Sequence, residues 1–282
     1  MIEIGLTGWG DHDSLYRDLT SSKRKLQAYS GHFPIVEIDS SFYAIQPERN
    51  YKKWIEETPE PFSFVVKAYQ GMTGHMRGTI PFANVDEMFA IFVESIAPLV
   101  ESGKLKTVLF QYPPWFDCQT KHVDMLLYTK EKMGDIPCAI EFRNETWFMP
   151  TYRERTISFL IQSKWMHTIC DEPQTSTGSV PIVPQATHSE LTLIRLHGRN
   201  VHGWLRGKSE QNWRAVRCLY RYSEEELQEW ALRIHDLQKY SKDIVVLFNN
   251  NSGGDAADNA KQLMRVLGIS YETHSVEQMK LF

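Results

Sequence analysis

The sequence has little sulfur chemistry to offer. Four cysteines occur in 282 residues, Cys118, Cys138, Cys170 and Cys218. None forms a CxxC pair, so the usual zinc-ribbon and redox-dithiol patterns are excluded. Cys138 and Cys170 lie in apolar runs and are expected as small core residues. HxH and HExxH spacings are missing too, so the sequence carries no recognisable metal motif. No apolar run approaches the ~18 residues of a membrane span. The opening MIEIGLTGW reads as a strand and not as a secretion signal. The cytoplasm is therefore the expected location. Charge of one sign is not in excess: the formal net charge is -4, which gives no global field for nucleic acid or an anionic membrane. Linkers and low-complexity tracts are absent, and residues 1–282 are expected to form one domain.

What is present is a repeated grammar. Apolar, β-rich runs occur at 2–9, 35–42, 62–69, 107–113, 138–144, 165–171, 191–198 and 243–250. Helical periodicity lies between most of them. It is clearest at Val85, Met88, Phe89, Phe92, Val93, Ile96, Leu99 and Val100. A Ser223–Glu226 capping box opens another helix, with Leu227, Trp230, Ala231, Ile234 and Leu237 on one face. Near-continuous apolar strands suit a parallel sheet covered on both faces. Eight strand–helix units in this length predict an α/β, TIM-like (β/α)8 barrel. A doubly wound open sheet would favour a Gly-rich phosphate turn after the first strand, and Gly8-Trp9-Gly10 is only a fragment of one. The rhythm breaks at 172–190, rich in Pro, Ser and Thr, so the β6–β7 connection is expected to be irregular.

In such a barrel the chemistry sits where strands end. Polar residues are dense there: Trp9, Glu37, Asp39, Ser41, Lys67, Gln111, Glu141, Arg143, Asp171, Arg195, His197, Asn249 and Asn250, with His75 in the loop after the third run. Strand residues two apart share a face, so Leu193, Arg195 and His197 point the same way. Arginine forks suit phosphate or carboxylate, and an imidazole or carboxylate nearby can move protons near neutral pH. The same residues also admit a structural reading. Glu141 and Arg143 can form an internal ion network, Asp171 can cap a loop, and Asn249–Asn250 can serve a turn. A further feature is the stretch 199–222. It holds Arg199, Arg206, Lys208, Arg214, Arg217 and Arg221 with Trp204 and Trp213 interleaved. It reads as a lid over an anionic ligand, as a nucleic-acid contact, or as a solvated basic loop.

The ordered motifs GLTGW at 5–9, VEIDSSFY at 36–43, LFQYPPWF at 109–116, IEFRNETWF at 140–148, IRLHGRN at 194–200 and VLFNNNSGGDAADNA at 246–260 resemble those of the YecE-like family, also known as DUF72. The resemblance spans essentially the whole chain. It implies a TIM barrel and a group described as sugar-isomerase-related. It carries over Trp9, Glu37, Phe42, Tyr43, Gln111, Glu141, Arg143, Trp147, Arg195, His197, Asn249, Asn250 and Asn259 as motif residues, and assigns no catalytic roles. Lys67, His75 and Asp171 match more loosely.

The expectation is an enzyme acting on a small anionic, phosphorylated or sugar-like substrate. Arg195, Arg143 and Lys67 would stabilise the anion. His197 or Glu141 would transfer the proton, oriented by Asp171 or Glu37. Gln111, Asn249, Asn250, His75, Trp9 and Tyr43 would complete the substrate site. The sequence names no cofactor. Two alternatives stand beside this reading: a metal-dependent hydrolase or nuclease contacting phosphates through 199–222, and a ligand-binding sensor or scaffold without turnover.

Overall fold

A computed structural model describes residues 1–17, 24–76, 78–175, 178–205 and 216–271. Eight strands form it: β1 (Ile2–Thr7), β2 (Ile35–Ile38), β3 (Ser63–Lys67), β4 (Leu105–Gln111), β5 (Cys138–Glu141), β6 (Met166–Asp171), β7 (Leu191–Leu196) and β8 (Asp243–Phe248). Each pairs in parallel with its neighbours in sequence order. β8 closes on β1 through a register that sets Ile4 opposite Val246 and Leu6 opposite Phe248. The helices are α1 (Lys25–Ser30), α2 (Glu48–Glu56), α3 (Val85–Glu101), α4 (Thr120–Met133), α5 (Arg153–Gln162), α6 (Val201–Leu205), α7 (Glu224–Leu237) and α8 (Ala256–Val266). The expected TIM-like barrel is thus present. No helix among the described residues is long and apolar enough to cross a membrane.

Helix starts follow the local sequence. The Asn84 side chain accepts from the Glu87 amide at 2.8 Å to open α3, whose Met88, Phe89, Phe92, Ile96 and Leu99 are buried. The foreseen capping box opens α7: Ser223 Oγ accepts from the Glu226 amide at 3.3 Å, and the Glu226 carboxylate accepts from the Ser223 amide at 2.9 Å.

Strand alternation divides the core in two. One face of the sheet packs on the helices. The other fills the lumen with Ile35, Val65, Leu109, Ala139, Met166, Leu191, Leu193, Val245 and Leu247. Gly5 is required at the β1–β2 seam, where a Cβ would lie 2.1 Å from the Ile35 carbonyl oxygen. Below this apolar layer, Lys106 pairs with Glu3 and, at 2.9 Å, with Asp243. The N-terminal end of the barrel is therefore plugged by matched charges. Cys138 and Cys170 are buried free thiols, as expected.

The β6–β7 connection carries no helix among its described residues. It is an extended strap pinned to β6. Thr187 Oγ1 accepts from the His167 amide and donates to the Trp165 carbonyl, both at 2.7 Å. Several strands end earlier than their apolar runs. β2 stops at Ile38 and gives way to a 3-10 turn, Ser40–Phe42. β5 stops at Glu141. Where these ladders end, side chains take over the backbone groups. Ser41 Oγ bridges the Ile38 and Lys67 carbonyls at 2.8 and 2.6 Å.

Candidate functional site

The lumen alternation continues upward, and its next inward positions are charged. Arg195 follows Leu193 on β7. It donates from Nε and Nη2 to both oxygens of Glu37, at 2.9 and 2.8 Å, and from Nη1 to Glu141 Oε2 at 2.5 Å. All three side chains are at most 2% exposed. This bidentate fork is the geometry that compensates desolvation best. The triad forms the floor of the barrel mouth.

Glu141 is the most heavily bonded of the three. Its Oε1 accepts from Gln111 Nε2 at 2.7 Å and from Arg143 Nη1 at 3.2 Å, and His197 Nε2 lies 3.2 Å away. Burial alone would raise its pKa, but Arg195, His197 and Arg143 outweigh burial and hold it well below the usual carboxylate range. Asn249 fixes the His197 tautomer. Its Oδ1 accepts from Thr7 Oγ1 at 2.7 Å, so its Nδ2 donates to His197 Nδ1 at 2.9 Å. The ring proton therefore sits on Nε2, facing Glu141. Burial pushes the His197 pKa down to about 3. His197 is thus a buried, neutral imidazole whose Nδ1 is held by Asn249, while its Nε2 faces Glu141 at 3.2 Å without completing a hydrogen bond. Gly198 follows at φ +88°, packed on Tyr220 where a side chain would collide, and turns the chain away from the site.

Above the floor lies a cavity of about 850 Å³. Lys67, His75, Gln111, Arg143, Asn249 and Tyr43, all expected from sequence, line it, as do Asp11, Phe42, Trp115, Trp204, Arg217, Asn251 and Ser252. Arg143 reaches Glu172 at 3.0 Å and sits under the Trp204 ring at 5.0 Å. The NETW turn locks it in place. Asn144 donates to the Pro114 carbonyl at 2.6 Å, and the Trp147 indole donates to the Phe116 carbonyl at 2.8 Å. The PPWF and FRNETWF motifs are therefore two halves of one clamp.

Lys67 differs from Arg143, the cation beside it in the cavity lining. Its Nζ lies 4.5 Å from the Phe42 ring centroid and has no hydrogen bond or ion pair with a described residue. Burial, reinforced by Arg195, draws its pKa down to about 8. Beside it, His75 bonds Thr73 Oγ1 through Nδ1 at 2.8 Å and packs edge-on against Phe42. Burial and Lys67 bring His75 down to about 4.

Five expected site residues are corrected by strand phase or by prior engagement. Asp171 points outward from β6. It accepts from Arg199 Nε and, at 2.7 Å, from the Trp230 indole on α7. Its neighbour Glu172 faces the site instead, holding Arg143 and the Val180 amide. Asn250 ties the segment after residue 216 to α8, donating to the Tyr220 carbonyl and to Asn259, both at 2.9 Å. Trp9 packs edge-on against Trp54 on α2, 5.3 Å between centroids, and does not line the cavity. Arg195, with Glu37, belongs to the floor beneath the cavity and is engaged there. In the basic stretch, Arg199 is bound by Asp171, Glu226 and Glu229, and Arg221 by Asp255 and Asp258. Arg206, Lys208, Arg214 and Trp213 lie outside the described residues.

An Asp171→Asn substitution tests this division. It leaves one buried donor from Arg199 or Trp230 without an acceptor, which costs about 2 kcal/mol. A lower melting temperature with unchanged ligand affinity is expected. Lost affinity at an unchanged melting temperature would return Asp171 to the site.

Glu141, Cys170 and His197 bring ligand-type atoms within 4.8 Å of one another. These donors do not fit a metal ion. Glu141 has both oxygens bonded, the His197 Nε2 carries the proton, and burial raises the Cys170 thiol. Two guanidinium groups, of Arg195 and Arg143, adjoin the same point.

The comparisons with known proteins agree with this architecture. Residues 3–280 match the family described as "Protein of unknown function DUF72". The chain is 57% identical over 282 residues to the UPF0759 protein YunF of Bacillus subtilis (strain 168), covering 100% of both. The crystal structure of a DUF72 family protein from Enterococcus faecalis V583 superposes with a TM-score of 0.91 at 38% identity, covering 96% of this chain and 97% of that one. One from Thermotoga maritima MSB8 gives 0.81 at 28% identity, covering 95% and 100%. With the closed barrel and its motif residues in place, the chain belongs to the DUF72 family.

Proposed function

We propose that this barrel is an enzyme that binds a small anionic, phosphorylated or sugar-like metabolite in the cavity at the C-terminal mouth. The observation that carries the reading is Lys67, a cation on the cavity wall with no anion of its own. Arg143, in the same lining, engages Glu141 and Glu172 through Nη1 alone. Gln111 donates to Glu141 and leaves its carbonyl oxygen for a ligand hydroxyl. Asn249 supplies an amide in the same wall. Aromatic rings from Trp115, Trp204 and Tyr43 suit the apolar face of a sugar. The proton-active groups on this wall are Lys67 and His75, and the proton-transfer role belongs to them.

A thermal-shift series tests this, with sugar phosphates, carboxylates, nucleotides and oligonucleotides, each with and without divalent metal. A ligand at about 100 times its Kd adds ~2.7 kcal/mol. A metal-independent shift with a small phosphorylated compound is expected. Lys67→Met should weaken it about tenfold or more, the worth of a charged hydrogen bond. The affinity should also fall as pH rises through about 8, because Lys67 is protonated below that value and neutral above it. A shift seen only with metal or oligonucleotide would replace this reading by the hydrolase, and binding without any turnover would replace it by the sensor.

A further inference from the structure

We propose that Lys67 is a nucleophile toward carbonyl compounds. The cavity would then take an aldehyde or ketone bearing an anionic group, which Lys67 holds as a protonated imine. This rests on the anion-binding reading above and narrows its substrate class.

The fold treats two other lysines of low exposure differently. Lys106, at the opposite mouth, lies between Glu3 and Asp243. Lys104 is 3% exposed and donates to the carbonyls of Thr58 and Pro59 at 2.8 and 3.1 Å. In both, the fold satisfies the ammonium. Lys67 is given only the face of Phe42. An amine that lines the cavity with no protein acceptor is left free to react with what the cavity takes up.

The surroundings favour that form. The charged groups near Lys67 are Arg195, Glu37, Glu141 and Asp39, with His75 from the following loop. Glu37 and Glu141 are bound to Arg195 and do not bond the amine. With a pKa of about 8, about a tenth of Lys67 is neutral at pH 7, whereas an ordinary lysine is neutral well below one part in a thousand. His75, held through Nδ1, keeps Nε2 available on the same wall to move the protons.

The chemistry balances without a further reagent. The amine nitrogen attacks the carbonyl carbon, and the oxygen takes up a proton as the nitrogen gives one up. The carbinolamine hydroxyl is then protonated and leaves as water as the C=N bond forms. Overall, one ammonium and one carbonyl give one protonated imine and one water. The iminium is an electron sink for proton removal at the adjacent carbon. The uncommitted nitrogens of Arg143 hold the anionic group away from the amine.

The test uses the full chain. It is incubated with dihydroxyacetone phosphate, pyruvate or pyridoxal 5′-phosphate, reduced with sodium borohydride, and mapped by peptide mass. Glycerol 3-phosphate, which lacks a carbonyl, reports anion binding alone through thermal stabilisation. The expected result is one adduct per chain on Lys67, absent from Lys67→Arg and Lys67→Met. Stabilisation by glycerol 3-phosphate without an adduct at Lys67 overturns the imine and leaves the anion site. Labelling spread over exposed lysines, and unchanged in the variants, also overturns it. Neither stabilisation nor labelling overturns both readings.

Discussion

Arg195→Met is expected to lower stability by about 3–5 kcal/mol at neutral pH, the usual cost of removing one partner of a buried ion network. For a chain near this size the melting temperature would fall on the order of 10 °C. The reason is geometric. Arg195 is 2% exposed and supplies three hydrogen bonds to Glu37 and Glu141, which face each other across it. Without it, two buried carboxylates confront each other with only Lys67, Arg143 and Gln111 nearby. The pH dependence has a definite sign. Glu141 is held below its ordinary pKa, so its contribution is complete above about 4.5 and is lost as pH falls through the depressed value. In the variant the carboxylates are destabilising while ionised and relieved by protonation. The gap between wild type and variant should therefore be widest near neutrality and narrow in acid. Urea melts at pH 7 and pH 4 would show this. A combined Glu37→Leu, Arg195→Met, Glu141→Leu chain should recover much of the loss, because an apolar core can replace a buried network. A melting temperature within 2 °C of wild type for Arg195→Met would refute the account.

Trp147→Ala should cost about as much, roughly 3–5 kcal/mol. Trp147 is 1% exposed and lies between Phe142, 4.2 Å away at 12°, and Phe116, 5.8 Å away at 16°. Its truncation opens a cavity and strips the Phe116 carbonyl of its donor. The same indole holds together the two loops that aim Arg143 and Trp115 at the cavity. Ligand affinity should therefore fall along with stability. Trp147→Phe, which keeps most of the stack, should lose less of each. If Trp147→Ala destabilises without touching affinity, the clamp has no part in shaping the site.

The barrel was legible because its strands are long apolar runs separated by helical periodicity, with the one gap at 172–190 visible as a Pro/Ser/Thr-rich stretch. The candidate site was legible only where a strand carries its own phase. On β7, Leu191 and Leu193 are inward and lead to Arg195. On β6, MHTICD is buried throughout, so nothing in the pattern says which neighbour of Cys170 and Asp171 turns inward. Position at the strand end points to Asp171, whereas it is Glu172 that meets Arg143. Asn249 and Asn250 pose the same problem, since adjacent residues face opposite ways. Residue type also conceals partnership. Arg195 and Lys67 are both cations at strand ends, yet one is bound by two carboxylates and the other by none. Trp115 follows Pro113–Pro114, which end the β4 run, so its place at the barrel mouth was marked in the sequence.

The alternation that builds the floor also restricts how this chain can vary in length. One residue inserted into β5 ahead of Glu141 would turn that carboxylate into the aromatic stack and bring Phe142 under the cavity. The same holds for β2 ahead of Glu37 and β7 ahead of Arg195. An odd insertion in any of them breaks the triad, and even an insertion of two residues lifts the charge past its partners. The described residues of the 172–190 connection form no strand and are pinned at separate points, among them Val180, Val183 and Thr187, so they carry no such alternation. Insertions and deletions inherited across relatives should collect in that strap and in surface loops, and be purged from the last turns of the strands.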